Sequence, residues 1–160
     1  MNKKHTSMSL AEDFDGFATS ERRRAREAAL VMLYQLDFGD NTEQIAEQTI
    51  NSLGLMEENA AFAWQLVKRA RSLKAVSDEL IAEHSREWDF ERLFNIDVTI
   101  LRLAFGELNS TTPTSIVINE AIELAKKFGD GASPAFVNAV LDAVNQISEE
   151  KEKKKTDTKD

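Results

Sequence analysis

The sequence predicts an all-α fold of about seven helices joined by short loops. Apolar residues recur three and four positions apart along most of the chain, the period that gathers them on one face of a helix. Strand signals are scarce. Ser115–Ile118 is a β-branched run, but it is too short and too close to a helix to count. Glycine or proline punctuates the periodic segments at Gly39, Gly54, Pro113, Gly129 and Pro134.

The first helix starts near Thr19 or Ser20, either of which can serve as N-cap, and stops near Gly39. Ala29, Leu33 and Leu36 form its apolar stripe, with Leu30 beside them. Asp40–Gln44 reads as a turn plus cap, because Asn41 with Gln44, or Asp40 with Glu43, has capping-box spacing. The second helix carries Ile45, Thr49, Ile50 and Leu53, and Gly54 follows as a C′ residue. A third begins near Glu57 and buries Ala60, Ala61, Trp64 and Val67. A fourth covers roughly Val76 to His84, and the break before it has no clear marker. Trp88-Asp89-Phe90 reads as a connector, with Phe90 and Leu93 buried. The fifth helix, from about Asp97 to Leu108, is apolar over a wide arc and is therefore expected at the centre. Ile116–Phe128 is the sixth, stopped by Gly129. Ser133-Pro134 supplies an N-cap and a proline at N1 for the seventh, which carries Phe136, Val137, Val140, Leu141 and Val144.

A chain of 160 residues, 42% apolar, suits one domain with a real core. Residues 1–18 lack any helical or strand period and are expected to be a disordered lead. Residues 19–148 form the helical domain, and the charged residues 149–160 are expected to be a disordered tail. Cysteine is absent, which removes disulfides, thiolate metal sites and thiol nucleophiles and fits a reducing compartment. No apolar run approaches the ~18 residues of a membrane span. Lys3 and Lys4 have no apolar segment behind them, so no signal peptide is read, and the cytoplasm is the expected location.

The net charge of −8 is unevenly spread. Thr19–Arg26 carries +3, whereas Glu27–Ser148 carries −10. Arg22, Arg23, Arg24 and Arg26 crowd the first turns of the first helix. Positive charge at a helix N-terminus is mildly unfavourable, and Arg22 with Arg26 is a repulsive i,i+4 pair. The arrangement implies that something anionic completes this end. A protein that coats nucleic acid indiscriminately is usually basic overall, so this one would bind through a focused site. Charge pattern alone leaves two readings open: a nucleic-acid contact, or a solvated helix start partly neutralised by Glu21 and Glu27. Arginine suits the first, since its planar fork pairs with phosphate and stacks on bases. Tyr34 and Phe136 are candidate stacking platforms, although their helical spacing equally reads as core.

No catalytic constellation is evident. His5 lies in the lead and His84 near a helix end, taken as exposed, and with no cysteine there is no zinc ligand set. No cofactor or metal is expected. Glu120 and Glu123 share a helix face, but Glu123 precedes Lys127 in the favourable order for a helix salt bridge, so a structural role is preferred. Gly129-Asp130-Gly131 has too few glycines for a phosphate cradle and reads as a helix stop.

Arg22-Arg23-Arg24-Ala25-Arg26-Glu27, followed by Ala29-Leu30 and Leu33-Tyr34, resembles the opening helix of the NusB family of bacterial antitermination factors. Ile100–Ala104 with Glu107-Leu108 resembles the family's central helix. Val117–Gly129, introduced by Pro113, is similar to its signature, and Phe136–Asp142 to its last helix. The similarity spans about Arg22 to Val144, with three motifs in order.

The resemblance implies two packed three-helix bundles with the basic first helix on the surface. It implies binding of boxA-type single-stranded RNA from ribosomal RNA leaders, with NusE, a small-subunit ribosomal protein, in an antitermination complex on RNA polymerase. Family members also occur as homodimers. Arg22, Arg23, Arg24 and Arg26 match the arginine motif assigned to RNA, and Phe136 matches an aromatic implicated in RNA binding. Tyr34 and Asp97 match positions associated with partner binding. Ala132 and Ser133-Pro134-Ala135 depart from a more polar family stretch before that phenylalanine. The competing readings are a helical protein-interaction module and an accessory domain of an RNA methyltransferase. Against the second, the chain has no glycine-rich strand-loop-helix and no cysteine, and it ends soon after the helical domain.

Overall fold

A computed structural model describes residues 20–39, 43–87 and 94–157. Seven helices occupy them: α1 Glu21–Phe38, α2 Glu43–Ser52, α3 Glu57–Ser72, α4 Lys74–Glu87, α5 Asn95–Leu108, α6 Thr114–Phe128 and α7 Ser133–Asp157. The lead, the predicted cap at Asp40–Thr42 and the connector Trp88–Leu93 lie outside the described residues.

α1 packs on α2, α3 and α5, while α6 and α7 pack on each other and on α5, with α4 against α5 and α7. α5 is the wall shared by the two groups. It is buried at Asp97 and continuously from Thr99 to Glu107, as its wide apolar arc predicts. One device that lets it lie so deep is Gly106. A Cβ there would come within 2.9 Å of the Ala70 backbone nitrogen, so α3 and α5 touch backbone to backbone.

α1 differs from the expected surface helix with one apolar stripe. Every residue from Ala25 to Leu33 is buried, Val31 and Met32 included, because α1 is enclosed by α2, α3 and α5. Its exposed charge is confined to the first turn.

Local signals act as expected at several breaks. Gly54 takes a positive φ of 62° after α2, as a C′ glycine does. Gly129 ends α6, its N–H bonded to the Ala125 carbonyl. The unmarked break between α3 and α4 is a single residue, Leu73. Two expectations shift. The cap of α7 comes from Asp130, whose carboxylate accepts from the N–H groups of Ala132 (2.9 Å) and Ser133 (3.1 Å). α7 also continues to Asp157, through residues assigned from sequence to a disordered tail.

Candidate functional site

The four arginines begin on one turn and end in four environments. Arg26 is 7% exposed and turned inward, where its Nη2 lies 2.7 Å from a Glu107 carboxylate oxygen and its Nε 3.0 Å from the other. This fork-to-fork pair ties α1 to the end of α5. Arg23 makes a second two-pronged pair, with Nε and Nη2 each 3.1 Å from the oxygens of Glu120 on α6. Its side chain stays 42% exposed, and the bond to Glu120 raises its pKa further. Arg24 donates to the Leu53 carbonyl beyond α2 and lies 3.7 Å from Glu21. Arg22 is exposed, and its guanidinium sits 4.0 Å over the ring of Phe62 on α3. Among the described residues Arg22 makes no ion pair.

The expectation that an outside anion completes this helix end is therefore corrected in part. Glu120, Glu107, Glu21 and the Leu53 carbonyl supply most of the negative charge from within the fold. The repulsion between Arg22 and Arg26 is relieved by a shared aromatic, since Arg26 also lies 5.3 Å from the Phe62 centroid.

Beside Arg23 a shallow cleft of about 300 Å³ is lined by Glu27, Glu120, Glu123, Leu124, Lys126 and Lys127. Lys127 does more than the helix spacing alone suggests. It crosses to buried Glu27 at 2.8 Å, and Glu123 takes Lys126 at 3.2 Å. Lys126 and Lys127 extend the cationic surface from α1 onto α6, which sequence reading missed because both looked like ordinary helix-end lysines.

Phe136, a candidate stacking platform by sequence, faces the core in this structure. It is 0% exposed, the largest of the fully buried side chains, with Val137, Val140 and Leu141 around it in the core. Asp97, expected at a partner surface, is 1% exposed. Burial holds its carboxyl above the usual carboxylate range, opposed by a hydrogen bond with Ser133 and reinforced by Asp130. Asp97 and Glu107 are ten positions apart on α5, so Asp97 lies roughly 15 Å of helix from the Arg26 partner. The arginine turn and Asp97 thus lie about three helical turns apart along α5.

Tyr34 is half-buried on the later part of α1, tilted against exposed Phe38 at 5.6 Å. Arg102 lies 5.4 Å from the Phe38 ring and binds Asp78 on α4 (2.7 Å) and Asp37 on α1 (2.9 Å), joining three helices. His84 is buried rather than exposed. Among the described residues no group of three His, Cys, Asp or Glu could hold a metal, and no helix is long and apolar enough to cross a membrane.

This chain is similar to known proteins over most of its length. A family model described as the NusB family matches residues 23–146. The transcription antitermination protein NusB of Dehalococcoides mccartyi (strain ATCC BAA-2266 / KCTC 15142 / 195) is 38% identical over 131 residues, covering 80% of this chain and 92% of that protein. The protein of the same name from a Nitratiruptor species is 41% identical over 125 residues, covering 77% and 90%. Among solved structures, T. maritima NusB superimposes with a TM-score of 0.69 at 31% identity, covering 81% of this chain and 93% of that one. A chain from the crystal structure of antitermination factors NusB and NusE in complex with dsRNA superimposes with a TM-score of 0.68 at 26% identity, covering 81% and 99%.

Proposed function

The chain belongs to the NusB family of transcription antitermination proteins, and from that premise we propose that it binds RNA through the first turn of α1 as a non-enzymatic adaptor. The RNA is of the boxA type from ribosomal RNA leaders and is held together with NusE. The assembly acts on RNA polymerase in the cytoplasm. The relative solved with NusE and dsRNA supports both partners.

The observation that carries the reading is a cationic turn on an acidic body. Arg22 is exposed, Arg23 is half-exposed, and Lys126 and Lys127 continue the surface, in a chain of net charge −8. Such a surface attracts phosphate locally while the rest of the protein repels it, which favours one register of binding over general coating. Arg26 is assigned a supporting role, since its donors are committed to Glu107. Half-buried Tyr34 beside Phe38 is the aromatic that α1 offers a protein partner.

The test is filter binding of boxA and scrambled RNA, single-stranded and duplex, with and without NusE, across a salt series. The logarithm of the affinity for boxA RNA should fall linearly with the logarithm of salt, with a slope of about 0.7 per phosphate contact for a single strand. The double substitution Arg23→Ala, Arg24→Ala should weaken binding about ten-fold or more and flatten that slope, with the helical circular dichroism retained. Unchanged affinity in that variant would remove the arginine turn from the interface. Equal weak binding of every RNA, with or without NusE, would favour a protein-interaction module instead. Mass in solution with and without NusE separates a homodimer from the heterodimer.

A further inference from the structure

Single-stranded RNA is held by cations for its phosphates and by flat surfaces for its unstacked bases. Of the two aromatics expected to supply the flat surface, Phe136 is buried in the core and Tyr34 lies on the later part of α1, away from the arginine turn. One ring nevertheless lies directly at the arginine turn. Phe62 projects from α3 toward the start of α1, half-buried, with the Arg22 guanidinium 4.0 Å above its centroid and Arg26 5.3 Å away.

We propose that Arg22 and Phe62 together form the base-stacking seat of the interface, taking one unpaired nucleobase of single-stranded RNA; this rests on the RNA-binding reading above. Phe62 packs beneath the guanidinium, which limits the orientations an exposed arginine would otherwise sample. A planar guanidinium stacked on a ring has a second face open to a base, and its N–H edge stays free to donate to the neighbouring phosphate. The other three arginines are poor candidates for this task. Arg23 and Arg26 spend their forks on Glu120 and Glu107, and Arg24 reaches the Leu53 carbonyl. Arg22 is the exposed member of the four, and among the described residues no carboxylate competes for it. The seat also divides the labour of the surface: stacking at Arg22 and Phe62, and phosphate attraction along Arg23 toward Lys127.

The experiment measures affinity for boxA-type single-stranded RNA over a salt series, with 2-aminopurine placed at each adenine in turn, using wild type and the variants Arg22→Lys, Phe62→Leu and Arg22→Ala. Arg22→Lys keeps the charge but not the plane, and Phe62→Leu keeps apolar bulk but not the ring. Each should weaken binding about five-fold or more, leave the salt slope unchanged, and abolish quenching of one 2-aminopurine. Arg22→Ala should weaken binding further and reduce the slope by about one contact. Arg22 is exposed, so Arg22→Lys tests the seat even if Phe62→Leu loosens the fold. Wild-type affinity and quenching in Arg22→Lys would overturn the proposal while leaving the interface itself standing. Absence of salt-dependent RNA binding by the wild type would overturn the underlying reading instead.

Discussion

Arg26 and Glu107 are 81 residues apart in sequence and 2.7 Å apart in the fold. Both are nearly fully buried, so removing one partner strands a charge away from water. Arg26→Ala should therefore destabilise the protein by about 3–5 kcal/mol, read from a urea midpoint. The paired replacement Arg26→Met, Glu107→Leu should recover most of that loss, because the pair's desolvation offsets much of its attraction. Asp97 makes an opposite case. Its raised pKa means that the folded state holds the proton more tightly than the unfolded chain does. The cost to folding is thus complete above the raised pKa and disappears below the ordinary carboxylate value. Asp97→Asn should raise the melting temperature at pH 7, and the gap to the parent should close as the pH falls toward about 4. A gap that ignores pH would assign the effect to packing. At this scale the sequence hides most of what matters. Glu120 and Glu107 look like routine helix-surface acids until tertiary contact places them on Arg23 and Arg26. Phe136 has the same spacing whether it lines a core or offers a platform, and only tertiary packing shows that it lies in the core.

Among the elements, helix period and punctuation were the legible features. The central position of α5 follows from its wide apolar arc, and the ends of α2 and α6 follow from Gly54 and Gly129. The boundary at Leu73 was illegible because a one-residue break needs neither glycine nor proline. The encirclement of α1 was illegible for another reason: alanines at positions 25, 28 and 29 are compatible with either an open or an enclosed face. Gly106 shows an element-level constraint that propensity would misjudge. Alanine is the better helix former by about 1 kcal/mol. Here its methyl would be forced to 2.9 Å from the α3 backbone, whose atoms cannot rotate aside. Gly106→Ala should consequently destabilise by about 1–3 kcal/mol in thermal or urea unfolding. A stabilised variant would show that α3 and α5 can separate at little cost.

For the molecule as a whole, the all-α class and the order of the motifs were readable, because both depend on patterns local in sequence. The cationic surface was readable as a composition anomaly, at +3 against −10 in the segments on either side of Arg26. Its composition from two helices was not, since Lys127 meets Glu27 across 100 residues. Arg23 is fixed to α6, Arg24 to the turn after α2, Arg26 to α5, and Arg22 rests on α3. Four neighbouring side chains are thereby indexed to four separate parts of the chain. A peptide of the first helix would carry the same charges with none of this indexing, and would attract polyanions without telling them apart. Discrimination among RNAs is in this sense a tertiary property. It should fail as soon as the helices shift relative to one another, well before the helices themselves melt.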